Sequence, residues 1–315
     1  MLTELIRRFF KEENSDRQQE QEVILEDTDI PETILLDFPA CIERDFPQEF
    51  PLAWEACEQI LTATKGADFS PLERHSPGLK GFDWESYIRL SVIRMVRVLA
   101  NLSEQGVSKG RLLDLGAYFG NFSLMCSKAG YQVDALDGYG AYGEALKSVT
   151  QLLSTSDVQV LDFDEVGYEL QELEPETYDV VLCMGVIEHI PHTPRLLLAS
   201  LNQVLKPGGL LVLDTPNLAY LYNRQKLARG ESIFPPISLQ YFTEIPFEGH
   251  HREYTRSEIE WLLNTIGHQD IRCSLFNYSI YGLSVLQGTD LDNYKTMLAM
   301  PDNRELILTV SRKSA

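Results

Sequence analysis

No apolar run in this sequence approaches the roughly 18 residues that a membrane-crossing helix needs. The opening "MLTELIRRFFKEENSD" likewise contains no stretch long enough for a signal core. Together these absences predict no membrane span and a cytoplasmic location. Cysteine is sparse and odd in number: Cys41, Cys57, Cys126, Cys183 and Cys273 show no CxxC spacing. Reduced thiols are the simple reading, with Cys126 and Cys183 inside apolar runs. Basic side chains are also few, 27 against 47 acidic ones, for a formal charge of −20. Such a surface repels phosphate backbones at long range, so nucleic acid is not expected as a substrate. Internal repeats and low-complexity tracts are missing as well.

What is present suits one elaborated α/β domain: 315 residues, 44% of them hydrophobic. Residues 1–50 read as an acidic, partly disordered arm, opening with a short amphipathic segment over 1–10 and rich in Glu, Gln and Asp over 11–35. The arm is either simply solvated or a docking helix for a partner. Residues 51–107 read as a helical extension or lid, in which "DWESYIRLSVIRMVRVLANL" places Tyr87, Leu90, Ile93, Arg94 and Val96–Val98 near a 3.6-residue repeat. One helix over 83–102 is predicted, preceded by a loop at "HSPGLKGF". From 108 to 315 short apolar strands at 111–116, 131–137, 158–163, 178–184 and 208–214 alternate with helical stretches. That alternation predicts a parallel sheet covered by helices on both faces. "IRCSLFNYS" and "ELILTVSRK" add a terminal antiparallel pair with no evident helix between them.

The chemistry concentrates at strand ends. "LLDLGAYFGNFSL" (112–124) joins the first of these strands to a helix through Gly116 and Gly120, where the backbone can approach a ligand and the helix N-terminus offers free N–H groups. Asp137 ends the next strand, 21 residues after Gly116, where a carboxylate can accept both hydroxyls of a ribose. "VQVLDFDEV", "YDVVLCMGVIEHI" and "LKPGGLLVLDTPN" follow in order. With these segments the chain resembles the class I S-adenosylmethionine-dependent methyltransferases over roughly 108–312, similar in motifs to the ubiquinone-pathway O-methyltransferases.

The resemblance implies a Rossmann-like, seven-stranded, mostly parallel sheet with helices on both faces and an antiparallel final strand. It also implies S-adenosylmethionine as cofactor, held by Asp114, Gly116, Ala117, Tyr118 and Gly120 of the first loop, Asp137 and Gly138, Asp162 and Phe163 at the adenine, and Met184 and Gly185. One residue departs from the pattern: Tyr118 stands where many members carry a middle glycine, and a tyrosine disfavours positive φ. Either the loop runs wider with the ring against the cofactor, or the site is degraded and the protein is a silent scaffold.

Glu188 and His189, followed by His192, leave the fourth strand at the sheet edge where ligands bind. They either anchor the strand exit or face substrate. Relatives that bind metal place an acid at the position of Gly185, so no required metal is expected. Residues 217–254 form a cap insertion ending in "FEGHHREYT", before a helix announced by the capping pattern Thr255-x-x-Glu258. His250 or His251 is the candidate general base, and Tyr87, Arg252 and Tyr254 are candidate acceptor contacts. The expected activity is O-methylation of a small-molecule or glycan acceptor, with N-methylation as the alternative.

Overall fold

The computed structural model describes residues 33–73, 80–163, 170, 172–191, 193–244 and 247–314. The segment 1–32, most of the "HSPGLKGF" loop and His192 lie outside the described residues.

Nine strands occur in chain order: β1 (Thr33–Leu35), β2 (Arg111–Leu115), β3 (Gln132–Asp137), β4 (Val158–Asp162), β5 (Tyr178–Met184), β6 (Leu205–Pro216), β7 (His268–Phe276), β8 (Val285–Gln287) and β9 (Leu306–Lys313). Seven form one sheet in the order β4-β3-β2-β5-β6-β9-β7, parallel except for β9, which runs antiparallel to both of its neighbours. Nearly every residue of β2 and β5 is buried, as in central strands covered on both faces. Adjacent residues point to opposite layers, as strand geometry requires. Leu112 joins the core shared with helices Phe50–Ala63, Val92–Glu104 and Asn121–Lys128. Leu113 and Leu115 join the opposite core with helices Arg195–Val204 and Arg256–Thr265. Strand order reverses between β2 and β5, so the crevice at their carboxyl ends is the switch point where such sheets take ligands.

Several expectations need correction. The helix predicted over 83–102 is two, Trp84–Leu90 and Val92–Glu104, separated at Ser91, whose hydroxyl donates back to the Ile88 carbonyl (2.6 Å). The last two sheet strands are not helix-free between: β8 and helix Gly288–Ala299 intervene. Within the acidic arm, Thr33–Leu35 pairs antiparallel with β8, making a separate two-stranded sheet. The cap insertion contains helices Leu221–Ala228 and Ile237–Phe242. Its end is set as the sequence announced. Thr255 caps helix Arg256–Thr265 by accepting from the Glu258 N–H, while the Glu258 carboxylate accepts the Thr255 N–H at 2.8 Å. Among the described residues no helix is long and apolar enough to cross a membrane.

Candidate active site

A cavity of about 800 Å³ opens at the carboxyl ends of β2, β3, β5 and β6, within the size range of small-molecule sites. One end is the loop after β2. Gly116 turns there at φ +72°, and a Cβ would lie 2.4 Å from Val186 Cγ2, so no other residue fits without displacement. Tyr118 adopts φ +48° despite its side chain, a conformation that costs roughly 1–2 kcal/mol. Two sets of contacts hold it. Its N–H donates to Asp137 Oδ2 (2.8 Å), and its ring packs edge-on against Phe119 and Tyr142 at 4.6 and 5.4 Å between centroids. The loop therefore keeps its turn without the middle glycine.

Asp137 is buried at the end of β3, and its Oδ1 accepts from the Gly138 N–H (2.7 Å) and the Tyr142 hydroxyl (2.8 Å). Burial raises its pKa, and these donors only partly pull it back. Asp114, in β2, is buried and is not part of the cavity lining, so it supports the loop rather than meeting a ligand. Its Oδ2 accepts from Ser123 at 2.5 Å, while the buried Oδ1 has no partner among the described residues. Burial pushes Asp114 up to about 6.

The other end is built from the β5 exit, the β6 end and the cap. Gly185 (φ +70°) turns the chain out of β5 into the short turn Ile187–His189, which aims Glu188 and His189 into the cavity. Glu188 is 3% exposed, Thr215 donates to its Oε2 (3.2 Å), and burial pushes its carboxyl up to about 7. The His189 Nδ1–H donates to the Glu248 carbonyl (2.6 Å), and burial lowers this ring to about 4. His250 stands edge-on to His189, ring centroids 4.9 Å apart, its Nδ1 bonded to Glu253 Oε1 (3.2 Å). Burial disfavours its charge, but Glu253 and Glu188 outweigh burial and raise its pKa. The cap is clipped to the strand exit by its backbone: the His251 and Arg252 N–H groups both donate to the Glu188 carbonyl, at 2.8 and 3.3 Å.

The sequence-predicted residues divide accordingly. Gly116, Ala117, Tyr118, Asp137, Met184, Gly185, Glu188, His189, His250 and Tyr87 line the cavity. Gly120 starts helix Asn121–Lys128, and a Cβ on it would meet Leu153 at 2.7 Å, so it serves packing. Gly138 presents its N–H to Asp137 rather than to the cavity. Asp162 is exposed and accepts the Gly140 N–H (3.0 Å), while Phe163 packs with the core behind the sheet; neither is part of the lining. His251 turns away, donating through Nε2–H to the Phe247 carbonyl (3.0 Å). Arg252 pairs with Glu258 (2.6 Å), and Tyr254 is buried against the far core. Those three therefore stand off the cavity, because the clip onto Glu188 turns only one histidine inward.

Sequence reasoning missed a pair at the cavity wall. Arg94 donates through Nε and Nη2 to both oxygens of Asp214 at 2.7 Å each, with Asp214 1% exposed, and stacks on Phe122. The available signal was an arginine inside the apolar stripe of helix Val92–Glu104, where a charge requires a buried partner. Glu305, also at the wall, accepts the N–H groups of Tyr278 and Ser279 at 2.8 and 2.7 Å.

The family described as a methyltransferase domain matches residues 88–272. Ubiquinone biosynthesis O-methyltransferase of Burkholderia ambifaria is 36% identical over 108 residues, 34% of this chain and 44% of that protein. Its counterpart in Leptothrix cholodnii is 34% identical over 144 residues, 44% of this chain and 58% of that protein. The chain thus spans about half the length of the curated relatives it matches. Among solved structures, phosphoethanolamine N-methyltransferase 2 of Haemonchus contortus gives a TM-score of 0.49 at 15% identity, covering 79% of this chain and 60% of that one. The glycine turn after β2 and the carboxylate ending β3 both face the cavity and suit a ligand that carries a ribose, such as S-adenosylmethionine. With more than half of its length matched, the chain belongs to the methyltransferase-domain family, the class I S-adenosylmethionine-dependent methyltransferases, and its cofactor is S-adenosylmethionine.

Proposed function

We propose that the protein methylates a hydroxyl oxygen of a small molecule. The observation that carries this reading is that one cavity joins the Gly116–Asp137 end to a proton-handling group, Glu188 with His189 and His250, at the opposite end. S-adenosylmethionine supplies an electrophilic methyl group on a sulfonium. The chain's own residues do the rest. Asp137 would hold the cofactor's ribose hydroxyls, and the 116–118 backbone would bound it. Trp84 and Tyr87 from the helical extension, with Leu239 and Phe247 from the cap, line the acceptor side and exclude water. A hydroxyl is a poor nucleophile until its proton is drawn off, which an amine does not require to the same degree. The Glu188–His189–His250 group answers that need. The Burkholderia ambifaria and Leptothrix cholodnii relatives are ubiquinone biosynthesis O-methyltransferases, which supports oxygen as the acceptor atom.

The test is transfer of a labelled methyl group to a panel of phenols, alcohols and amines. Hydroxyl acceptors should be methylated, and His250→Ala should lower turnover about 10²- to 10⁴-fold while leaving S-adenosylmethionine affinity within a few-fold. Exclusive methylation of amines, with His250→Ala fully active, would replace oxygen by nitrogen in this reading.

A further inference from the structure

By sequence, the exit of β5 offers a metal one carboxylate and one histidine, Glu188 and His189. Gly185, at the same exit, has no side chain to add: its backbone is at φ +70°, and a Cβ there would lie 3.2 Å from Arg94 Nη2. The fold provides the missing ligand from elsewhere. His250, from the cap insertion, joins Glu188 and His189 so that one ligand atom from each lies within 4.8 Å of the others.

The hydrogen bonds around the three suit ligation of an ion. The His189 Nδ1 is committed to the Glu248 carbonyl and the His250 Nδ1 to the Glu253 carboxylate, which leaves Nε2 of each ring as the atom that can turn to a ligand. Histidine ligands characteristically donate their second ring N–H to a carbonyl or carboxylate in this way. Glu253 is itself steadied by the Asn223 amide (3.0 Å), and Glu188 Oε2 by Thr215. The backbone clip from His251 and Arg252 to Glu188 ties the histidine-bearing cap loop to the carboxylate-bearing turn. Two ligands on a tetrahedral ion with bonds of ~2.1 Å sit ~3.4 Å apart. Closing the present spread takes side-chain movements of about an ångström.

We propose that Glu188, His189 and His250 bind one divalent first-row transition-metal ion at the acceptor end of the cavity. Two imidazoles and a carboxylate favour zinc, cobalt or iron(II) over magnesium, which prefers oxygen ligands throughout. Three protein ligands leave a coordination position toward the cavity, where a hydroxyl-bearing acceptor would be acidified. That catalytic use rests on the O-methylation reading above; the binding itself does not.

The experiment is titration of chelator-treated full-length protein with Zn²⁺ by calorimetry and with Co²⁺ by visible absorption, without acceptor. The expected result is one ion per chain, with cobalt bands of nitrogen–oxygen ligation. Affinity should fall more than about 100-fold in His250→Ala and in His189→Ala, and about 10- to 100-fold in Glu253→Gln. His251→Ala, next in sequence but turned away, should keep the site. Circular dichroism and S-adenosylhomocysteine binding verify that each variant is folded. Absence of a stoichiometric site in the wild type, or wild-type affinity in folded His250→Ala, overturns the proposal. Methyl transfer assayed in parallel, with and without chelator, judges the O-methylation reading separately, because the titration needs no acceptor.

Discussion

Replacing Asp137 by Asn probes the cofactor end with a change of one atom. Each Asp137 oxygen already accepts from the protein: Oδ2 from Tyr118 N–H, Oδ1 from Gly138 N–H and the Tyr142 hydroxyl. An amide has one oxygen, so either orientation turns an NH₂ toward a buried N–H donor and leaves it unpaired. That costs about 1–3 kcal/mol. Removing the charge returns part of this, because burial already disfavours ionised Asp137. The free protein should therefore lose about 1–2 kcal/mol, a drop of several degrees in melting temperature. Cofactor affinity should fall further. Two charge-assisted bonds from ribose hydroxyls become one neutral acceptor beside a donor, a loss of about 2–3 kcal/mol, or roughly 30- to 150-fold in Kd. Differential scanning fluorimetry reads the first effect and calorimetric titration of S-adenosylmethionine the second. Cofactor affinity within threefold of wild type in the folded variant would refute the ribose assignment.

Arg94→Met should destabilise the protein by about 3–5 kcal/mol in urea unfolding, since it leaves Asp214 buried and unpaired; Arg94→Met with Asp214→Leu should recover much of that loss. Gly116→Ala should abolish measurable cofactor binding through the clash with Val186, and adding Val186→Ala should restore part of it, with the φ +72° strain remaining. Asp114 gives a pH test: its folded pKa, about 6, exceeds the unfolded value near 4. The native state then holds the proton more tightly, so this group reduces stability progressively as pH rises from about 4 to 6. Asp114→Asn should match wild type at pH 4 and exceed it by up to about 3 kcal/mol at pH 7; parallel urea midpoints across that range would contradict the assignment.

The central strands were legible because burial on both faces leaves them mostly apolar, as in the VVLCM run of β5, and the capping box at Thr255 because its two partners are only three residues apart. The break at Ser91 was hidden: serine is a weak breaker, and the apolar stripe keeps its phase across the gap. Helix Gly288–Ala299 escaped notice because "GTDLDNYKTMLA" carries little amphipathic pattern and starts with glycine. In the site, Glu188 and His189 could be located at a strand exit, but nothing local announces that a histidine 61 positions later (250 − 189) returns beside them. Arg94 and Asp214, 120 positions apart, meet for the same reason. Proximity of distant residues follows from strand order and from the backbone clip, which are properties of the assembled sheet.

The pairing of β1 with β8 joins Thr33 to Gln287 across most of the chain. During synthesis at roughly 5–20 residues per second, Thr33–Leu35 emerges about 13–50 s before its partner. For that interval a three-residue edge, with Leu35 exposed in the finished fold, has no partner strand, and the segments for β2 through β6 leave the ribosome in the meantime. The small sheet is thus a late closure that fastens an early segment of the chain to a domain built in its absence. Slowing translation should lengthen only the interval before this closure, and protease sensitivity near residues 33–36 in nascent chains would report its length.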